Sequence, residues 1–350
     1  MIISKLTLKL KTIFKMDHRN ILLFAHIIIA IIQHRTVNLA KLVPSLGSKT
    51  KVTSRYKRLQ RFIWNFKFDR VLIAEFLASC LHWTKKYTIA IDRTNWNYWR
   101  FKINILILWI VYKGMSIPVL WILLDKKWNS RSQERITLVQ DFIKIFWDDS
   151  VELVLWDREF IGYEWVSRLM SMHIEFGLRV RNNTILQWYG KSKHIYRSFR
   201  YDPYYKARSL KKARTIRWLK MYITGMKTKD EYLIIITKSY QPNIIEIYQH
   251  RREIETLFGN MKSRWFNLED THLQKHERIN TMICILAICV VRAHAIWERK
   301  QTQEPISIKT HGRKQYSIFR YWLDVLRDIC YSVVPNHKLI TTVLLLLYCT

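Results

Sequence analysis

Three apolar runs in close succession, YTIAID, INILILWIVY and MSIPVLWILL, restrict this chain more than any other feature. They are rich in β-branched and aromatic residues, which suits buried strands. The last two read together as one long apolar stretch, but Lys113, Gly114 and Pro118 interrupt it and predict two strands joined by a turn. SQERITLVQDFIKIF then changes period: Ile136, Val139, Phe142, Ile143 and Phe146 fall on one side of a helix. VELVLWD reads as a strand, IGYEWVSRLMSM as a helix and IEFGLRV as a strand. The predicted order β-β-β-α-β-α-β defines an α/β core.

Around this core the texture differs. From Arg181 to Glu231 the chain is basic, aromatic and irregular, which predicts an insertion with strand character before EYLIIITKS resumes a buried strand. Residues up to about Lys86 predict helices, including the buried run ILLFAHIIIAII. That run and LITTVLLLLYCT at the end are too short to span a bilayer, so no membrane partner is predicted. A basic helix follows the first run, with Thr53 or Ser54 as N-cap and Arg55, Lys57, Arg58 and Arg61 on its polar side. Helix, turn and basic helix form the pattern of a helix-turn-helix-like DNA reader. RINTMICILAICVVRAHAIWE predicts a second buried helix, and HGRKQYSIFRYWLDVLRDI begins a basic amphipathic tail.

The charge points the same way. There are 59 Lys and Arg against 27 Asp and Glu, a net charge of +32 over 350 residues. Folding does not require such self-repulsion, whereas holding a polyanion does. Nucleic acid is therefore the predicted partner, and aromatics interleaved with Arg and Lys suit base stacking. The five cysteines form no CxxC pair and mostly stand among apolar residues, which predicts buried thiols in a reducing compartment. The histidines show no zinc-site spacing.

Two acids end apolar strands, Asp92 in YTIAID and Asp157 in VELVLWD. A strand's carboxyl end is where a sheet meets ligand. A third acid comes from YQHRREIETLFGNMK. Turned at about 100° per residue, this stretch puts Tyr248, Arg251, Glu255 and Lys262 within a wedge of about 60°, while Glu253 points away. Ile254, Leu257, Phe258 and Met261 make the adjoining apolar face, so the polar stripe is expected at the rim of a cleft. Three carboxylates meeting there would repel unless a hard cation held them together, and paired Mg²⁺ ions suit phosphodiester cleavage.

The spacing of Tyr248, Arg251, Glu255 and Lys262 reproduces a Y-(2)-R-(3)-E-(6)-K signature, and the chain resembles the IS4 family of bacterial insertion-sequence transposases. DRTNW around Asp92, DREF around Asp157 and SIFRYWL in the tail carry the same resemblance. It implies an RNase H-like core over 87–300 with a β-rich insertion at about 181–231. To this are added a helical DNA-binding domain over 1–86 and a helical C-terminal tail over 301–350, a candidate dimerisation segment. It further implies a DDE site of Asp92, Asp157 and Glu255 holding two Mg²⁺ or Mn²⁺ ions. Tyr248, Arg251 and Lys262 would hold the transposon end. The implied activity is cleavage of element ends, through a hairpin, and joining to target DNA. The implied partners are double-stranded DNA, as terminal inverted repeats and target, and a second copy of the chain on that DNA, in the bacterial cytoplasm at the nucleoid. Two other readings use the same residues: an RNase H-like structure-specific nuclease, and a catalytically inactive DNA-binding remnant.

Overall fold

The computed structural model describes residues 2–301 except 48–49, 82–85, 99–100, 113–114, 126–129, 161, 189–190, 217–218, 260 and 262–265. Past 301 it describes 306–309, 315 and 324, so the tail expected over 301–350 lies almost wholly outside the described residues. Five helices come first: α1 (Ile2–Ile13), α2 (His18–His34), α3 (Leu39–Leu42), α4 (Val52–Asn65) and α5 (Arg70–Ser79). Then follow β1 (Tyr87–Tyr98), β2 (Phe101–Tyr112), β3 (Met115–Leu123), α6 (Ser132–Phe146), β4 (Val151–Trp156), α7 (Tyr163–Ser171) and β5 (Phe176–Arg179), in the order read from the sequence. Six further strands run from β6 (Ile185–Trp188) and β7 (Lys191–His194) through β8 (Ala207–Ser209) and β9 (Arg214–Ile216) to β10 (Leu219–Lys227) and β11 (Tyr232–Thr237). Helices α8 (Ile244–Gln249), α9 (Arg252–Gly259) and α10 (His276–Gln301) close the described chain.

The chain divides into two compact units. One comprises Met1–Trp83, Asn95–Ile103 and Glu255–Thr350; the other comprises Thr84–Thr94 and Asn104–Ile254.

In the first unit the predicted apolar run becomes α2, capped by the Asp17 side chain on the Asn20 N–H and ended by Arg35 in the left-handed region. Its residues from Ile21 to Ile32 are largely buried. Helix α10 is buried on all sides from Met282 to Val291, as an element apolar around its circumference must be, and it packs against α2, α4 and α5. Phe14, Phe24, Phe62, Phe66 and Phe68 form an aromatic cluster beside these helices, with Phe62 and Phe66 stacked at 5.3 Å. Helix α4 starts at Val52 with Lys51 before it, so Thr53 and Ser54 lie inside its first turn and neither is the cap. Cys80, Cys284 and Cys289 are buried free thiols, and burial pushes the Cys289 thiol up to about 12. Among the described residues no single helix is long and apolar enough to cross a membrane.

In the second unit lies most of an eleven-stranded sheet, in the order β3-β2-β1-β4-β5-β11-β10-β9-β6-β7, with β8 also on β10. Strands β1, β4 and β5 run parallel, and β5, β11 and β10 alternate direction. From Ile103 to Ile110 every residue of β2 is buried, so both faces of this strand are covered. Its pairing with β3 shifts register between Leu108 and Trp109, opposite Pro118. A proline has no N–H for the ladder, and the irregularity absorbs that loss. Trp156 meets Trp165 of α7 and Phe176 of β5, each at 5.3 Å, at the centre of the core.

Two glycines permit close approach. At Gly177 an added Cβ would stand 2.9 Å from Ile244 of α8, so the missing side chain lets that helix settle on the sheet. At Gly225 it would stand 2.6 Å from the ring of Phe199, which is fully buried. An aromatic ring cannot yield as a flexible side-chain end can. Gly225→Ala is therefore expected to lower unfolding stability by about 1–3 kcal/mol through overpacking, read as a lower denaturant midpoint at unchanged slope; an unchanged midpoint would show that Phe199 relocates freely.

Candidate active site

Asp157 directly follows β4, as its position after VELVLW predicts. Asp92 differs from expectation, because β1 continues past it to Tyr98. What ends near Asp92 is the pairing with β4, whose last matched residues are Ile91 and Trp156. The two acids therefore follow the final rung of one parallel ladder and stand side by side. Asp92 is buried and Asp157 is partly exposed.

Arg251 lies between them. Its Nη2 is 3.0 Å from Asp92 Oδ1 and its Nη1 is 4.0 Å from Asp157 Oδ2. Arg251 is 4 % exposed, so the pairing takes place largely out of water. Each acid also accepts the N–H of the next residue, Arg93 to Asp92 at 2.9 Å and Arg158 to Asp157 at 2.7 Å. Burial drives the Asp92 carboxyl up to about 6, against the lowering influence of Arg251 and of the Arg93 N–H; Glu159 and Asp157 add a smaller push upward.

The segment that delivers Arg251 is not one continuous helix. Helix α8 ends at Gln249 and α9 begins at Arg252. The join is tightened by bonds three residues apart, Arg251 N–H to the Tyr248 carbonyl at 3.0 Å and Ile254 N–H to the Arg251 carbonyl at 2.9 Å. A uniform 100° step thus does not run through the join. Tyr248 and Arg251 are buried while Glu255 is exposed. The Tyr248 hydroxyl donates to the Trp156 carbonyl at 3.3 Å, fastening α8 to the residue before Asp157. Burial raises the Tyr248 phenol well above its ordinary value. Lys262 lies outside the described residues, and so does the Glu253 side chain.

Sequence reading gave no role to Arg93 and Asn104. Arg93 reaches from beside Asp92 toward Asn104 Oδ1 at 3.5 Å and Glu159 at 3.4 Å. Asn104 is buried in β2, and Arg93 ties the Asp92 strand both to its neighbour and to the DREF turn. The one available signal was the place of Arg93 in DRTNW.

The basic residues of α4 divide by exposure. Lys57, Arg58 and Arg61 are exposed, while Arg55 is half-buried and donates to the Val43 and Pro44 carbonyls at 3.4 and 3.3 Å. Arg58 and Arg61 line a groove of about 1180 Å³ with Arg19, Asn20, Phe62 and Phe66.

Among the described residues no group of three or more His, Cys, Asp or Glu side chains is placed to hold a metal ion. The Asp92–Asp157 pair is nonetheless a cation seat, since a guanidinium already stands there, and carboxylate oxygens are the donors that hard divalent ions prefer. In this mixed α/β sheet two acids at the end of a parallel ladder are thus bridged by one arginine. Residues 83–292, more than half of the chain, match the family model described as the transposase DDE domain, and the chain belongs to that family. Among curated proteins no sequence matches it. Among solved structures, the piggyBac transposase synaptic complex with hairpin DNA is similar at 11 % identity and a TM-score of 0.48, covering 99 % of this chain and 83 % of that chain.

The raised Asp92 carboxyl gives a pH test. The folded state holds this proton more tightly than the unfolded chain, so the associated stability is full below about pH 4 and is lost as the pH rises through about 6. Without divalent ions, parental stability relative to Asp92→Asn should fall over that window by roughly 2–3 kcal/mol. A pH-independent difference in denaturation midpoint would contradict the burial of Asp92.

Proposed function

We propose that this chain is an insertion-sequence transposase of the IS4 family that cuts element ends, passes through a hairpin and joins the ends to target DNA. The observation that carries the reading is the pairing of Asp92 and Asp157 at the end of the β1–β4 ladder, bridged by an arginine four residues before Glu255. The strand order β3-β2-β1-β4-β5, with β1, β4 and β5 parallel, supports an RNase H-like core within 87–300. In this proposal 1–86 binds DNA and 301–350 dimerises. Asp92, Asp157 and Glu255 would hold two Mg²⁺ or Mn²⁺ ions, which when bound supply an activated water and stabilise the leaving oxygen of the phosphodiester.

The chain's own residues position the DNA. Arg251 is a planar fork suited to two phosphate oxygens, and Lys262 supplies a point charge. To touch DNA, Arg251 must exchange at least one carboxylate for phosphate, and Tyr248 must give up the Trp156 carbonyl. Arg93, through Asn104 and Glu159, keeps the Asp92 backbone in place. Lys57, Arg58 and Arg61 suit the phosphate backbone of the terminal repeats, with Arg55 bracing α4. A homodimer on double-stranded DNA, in the bacterial cytoplasm at the nucleoid, completes the proposal.

Asp92→Ala, Asp157→Ala and Glu255→Ala should each abolish cutting of an end duplex while leaving its gel-shift affinity within a few-fold. Glu253→Ala should be mild. Equal losses in Glu253→Ala and Glu255→Ala would remove Glu255 from the site, and cutting that survives complete chelation would remove the metal.

Arg251→Ala or Lys262→Ala should cost about tenfold in affinity and on the order of a hundredfold in single-turnover cutting. Arg251→Lys should recover binding better than cutting. Mutants that cut normally once saturated would reduce these cations to a holding surface. Replacing Arg58 and Arg61 together by Ala should flatten the salt dependence of end binding by about two units of slope; an unchanged slope would show that α4 does not contact phosphate.

A further inference from the structure

Between Lys191 and Lys229 the chain carries thirteen Lys and Arg and a single acid, Asp202. That acid is internally neutralised: Arg208 Nε donates to Asp202 Oδ2 at 2.8 Å. The charge left at the surface is positive. Within five residues of this segment stand three exposed tyrosines, Tyr201 at 90 %, Tyr204 at 56 % and Tyr205 at 60 %. Single exposed aromatics are ordinary on a protein surface. Three on one loop, among cations and with no opposing acid, form a patch that packing does not account for.

The loop is held in shape. Phe199, just before it, is fully buried against Gly225. The Asp202 N–H returns to the Phe199 carbonyl at 3.2 Å, and the Tyr205 N–H donates to the Lys227 carbonyl at 2.7 Å. Lys227 Nζ donates to the Arg200 carbonyl at 3.3 Å and lies 4.5 Å from the centre of the Tyr204 ring. Tyr205 adopts a φ of 60°, a left-handed conformation that costs a side-chain-bearing residue energy. The fold thus sustains a strained backbone where it presents aromatic rings to solvent. Lys227 is committed to the scaffold and Arg208 to Asp202; the exposed Arg200 holds its guanidinium 5.6 Å from the centre of the Tyr201 ring, and the exposed Lys206 follows Tyr205.

We propose that the Arg200–Lys206 loop is a binding platform for single-stranded DNA, stacking unpaired bases on Tyr201 and Tyr205 while Arg200 and Lys206 hold the adjoining phosphates. Stacking needs the face of a base, which a duplex hides and a single strand offers. Tyr201 is 90 % exposed, with the Arg200 guanidinium beside its ring and no enclosing pocket described around it, so the platform suits a continuous strand rather than one enclosed nucleotide. Phosphates between successive bases complement the cations on either side of the rings. The proposal deepens the reading of the chain as a DNA-processing enzyme by naming unpaired strand as a ligand of this loop, and it does not rest on the carboxylate site.

The test is fluorescence anisotropy of the full chain with a labelled 20-nucleotide oligo(dT), in chelator so that no cutting intervenes, beside a blunt duplex of equal length and anionic phosphatidylserine vesicles. The double variant Tyr201→Ala/Tyr205→Ala should weaken oligo(dT) binding at least about tenfold and leave duplex affinity within twofold. Tyr201→Phe/Tyr205→Phe, which keeps the rings, should bind oligo(dT) like the parent. Arg200→Ala/Lys206→Ala should lower the salt slope of oligo(dT) binding, which the tyrosine variants should not change. Unchanged oligo(dT) affinity in the double alanine variant overturns the proposal. So does an equal loss on the duplex, or a loss of vesicle binding with oligo(dT) binding intact, which would make the loop a lipid-facing surface. Because these readings need neither metal nor Asp92, Asp157 and Glu255, failure here leaves the cleavage tests standing, and failure there leaves these standing.

Discussion

Two carboxylates on neighbouring parallel strands cannot share a partly buried site without a counter-charge, and Arg251 supplies it. Much of the second unit follows from that requirement. The acids stand together because β1 and β4 pair in parallel up to Ile91 and Trp156. Helix α8, which leads to the arginine, sets its Ile244 side chain close over Gly177 of β5. The Tyr248 hydroxyl fixes the last turn of α8 to the backbone beside Asp157. Breaking a buried ion pair by removing one partner is expensive because the other charge is stranded. The sheet, the helix and the turn between α8 and α9 are thus mutually dependent through a single guanidinium. Even so paired, Asp92 keeps a carboxyl pushed up to about 6, because its burial outweighs the attraction.

The architecture was readable in the sequence wherever burial dictates composition. Strands such as β2 and β4 are apolar because both faces are covered, and the helices between them carry their own period, so the order β-β-β-α-β-α-β follows from the letters. Asp157 was legible for the same reason: an acid after VELVLW has nowhere to go but the strand's end. Asp92 was legible as the end of an apolar run but not as part of a longer strand, because TNWNY is more polar than the run before it.

What remained hidden depends on partners distant in the chain. The break between α8 and α9 has no glycine or proline to announce it, and the arginine at the break bridges acids ninety and more residues earlier. Tyr248 and Arg251 are buried before and at this break, and Glu255 after it is exposed. Arg93 lacked any periodic signal, since its importance lies in whom it touches. In the basic insertion, the pairings of β8 with β10 and of β9 with β6 join segments whose composition favours no register.

The two ends of the long sheet are finished differently. At one end β3 is largely buried and packs against α6. At the other end β7 is the last strand in the order, and its four residues are Lys-Ser-Lys-His. A short lysine-bearing edge discourages a further strand, because a second copy would bring like charges into register. Like charge on Lys191 and Lys193 opposes such pairing between copies of this edge. A basic surface here serves colloidal stability as well as recognition, so substitutions that neutralise β7 would be felt as aggregation before they were felt as lost affinity.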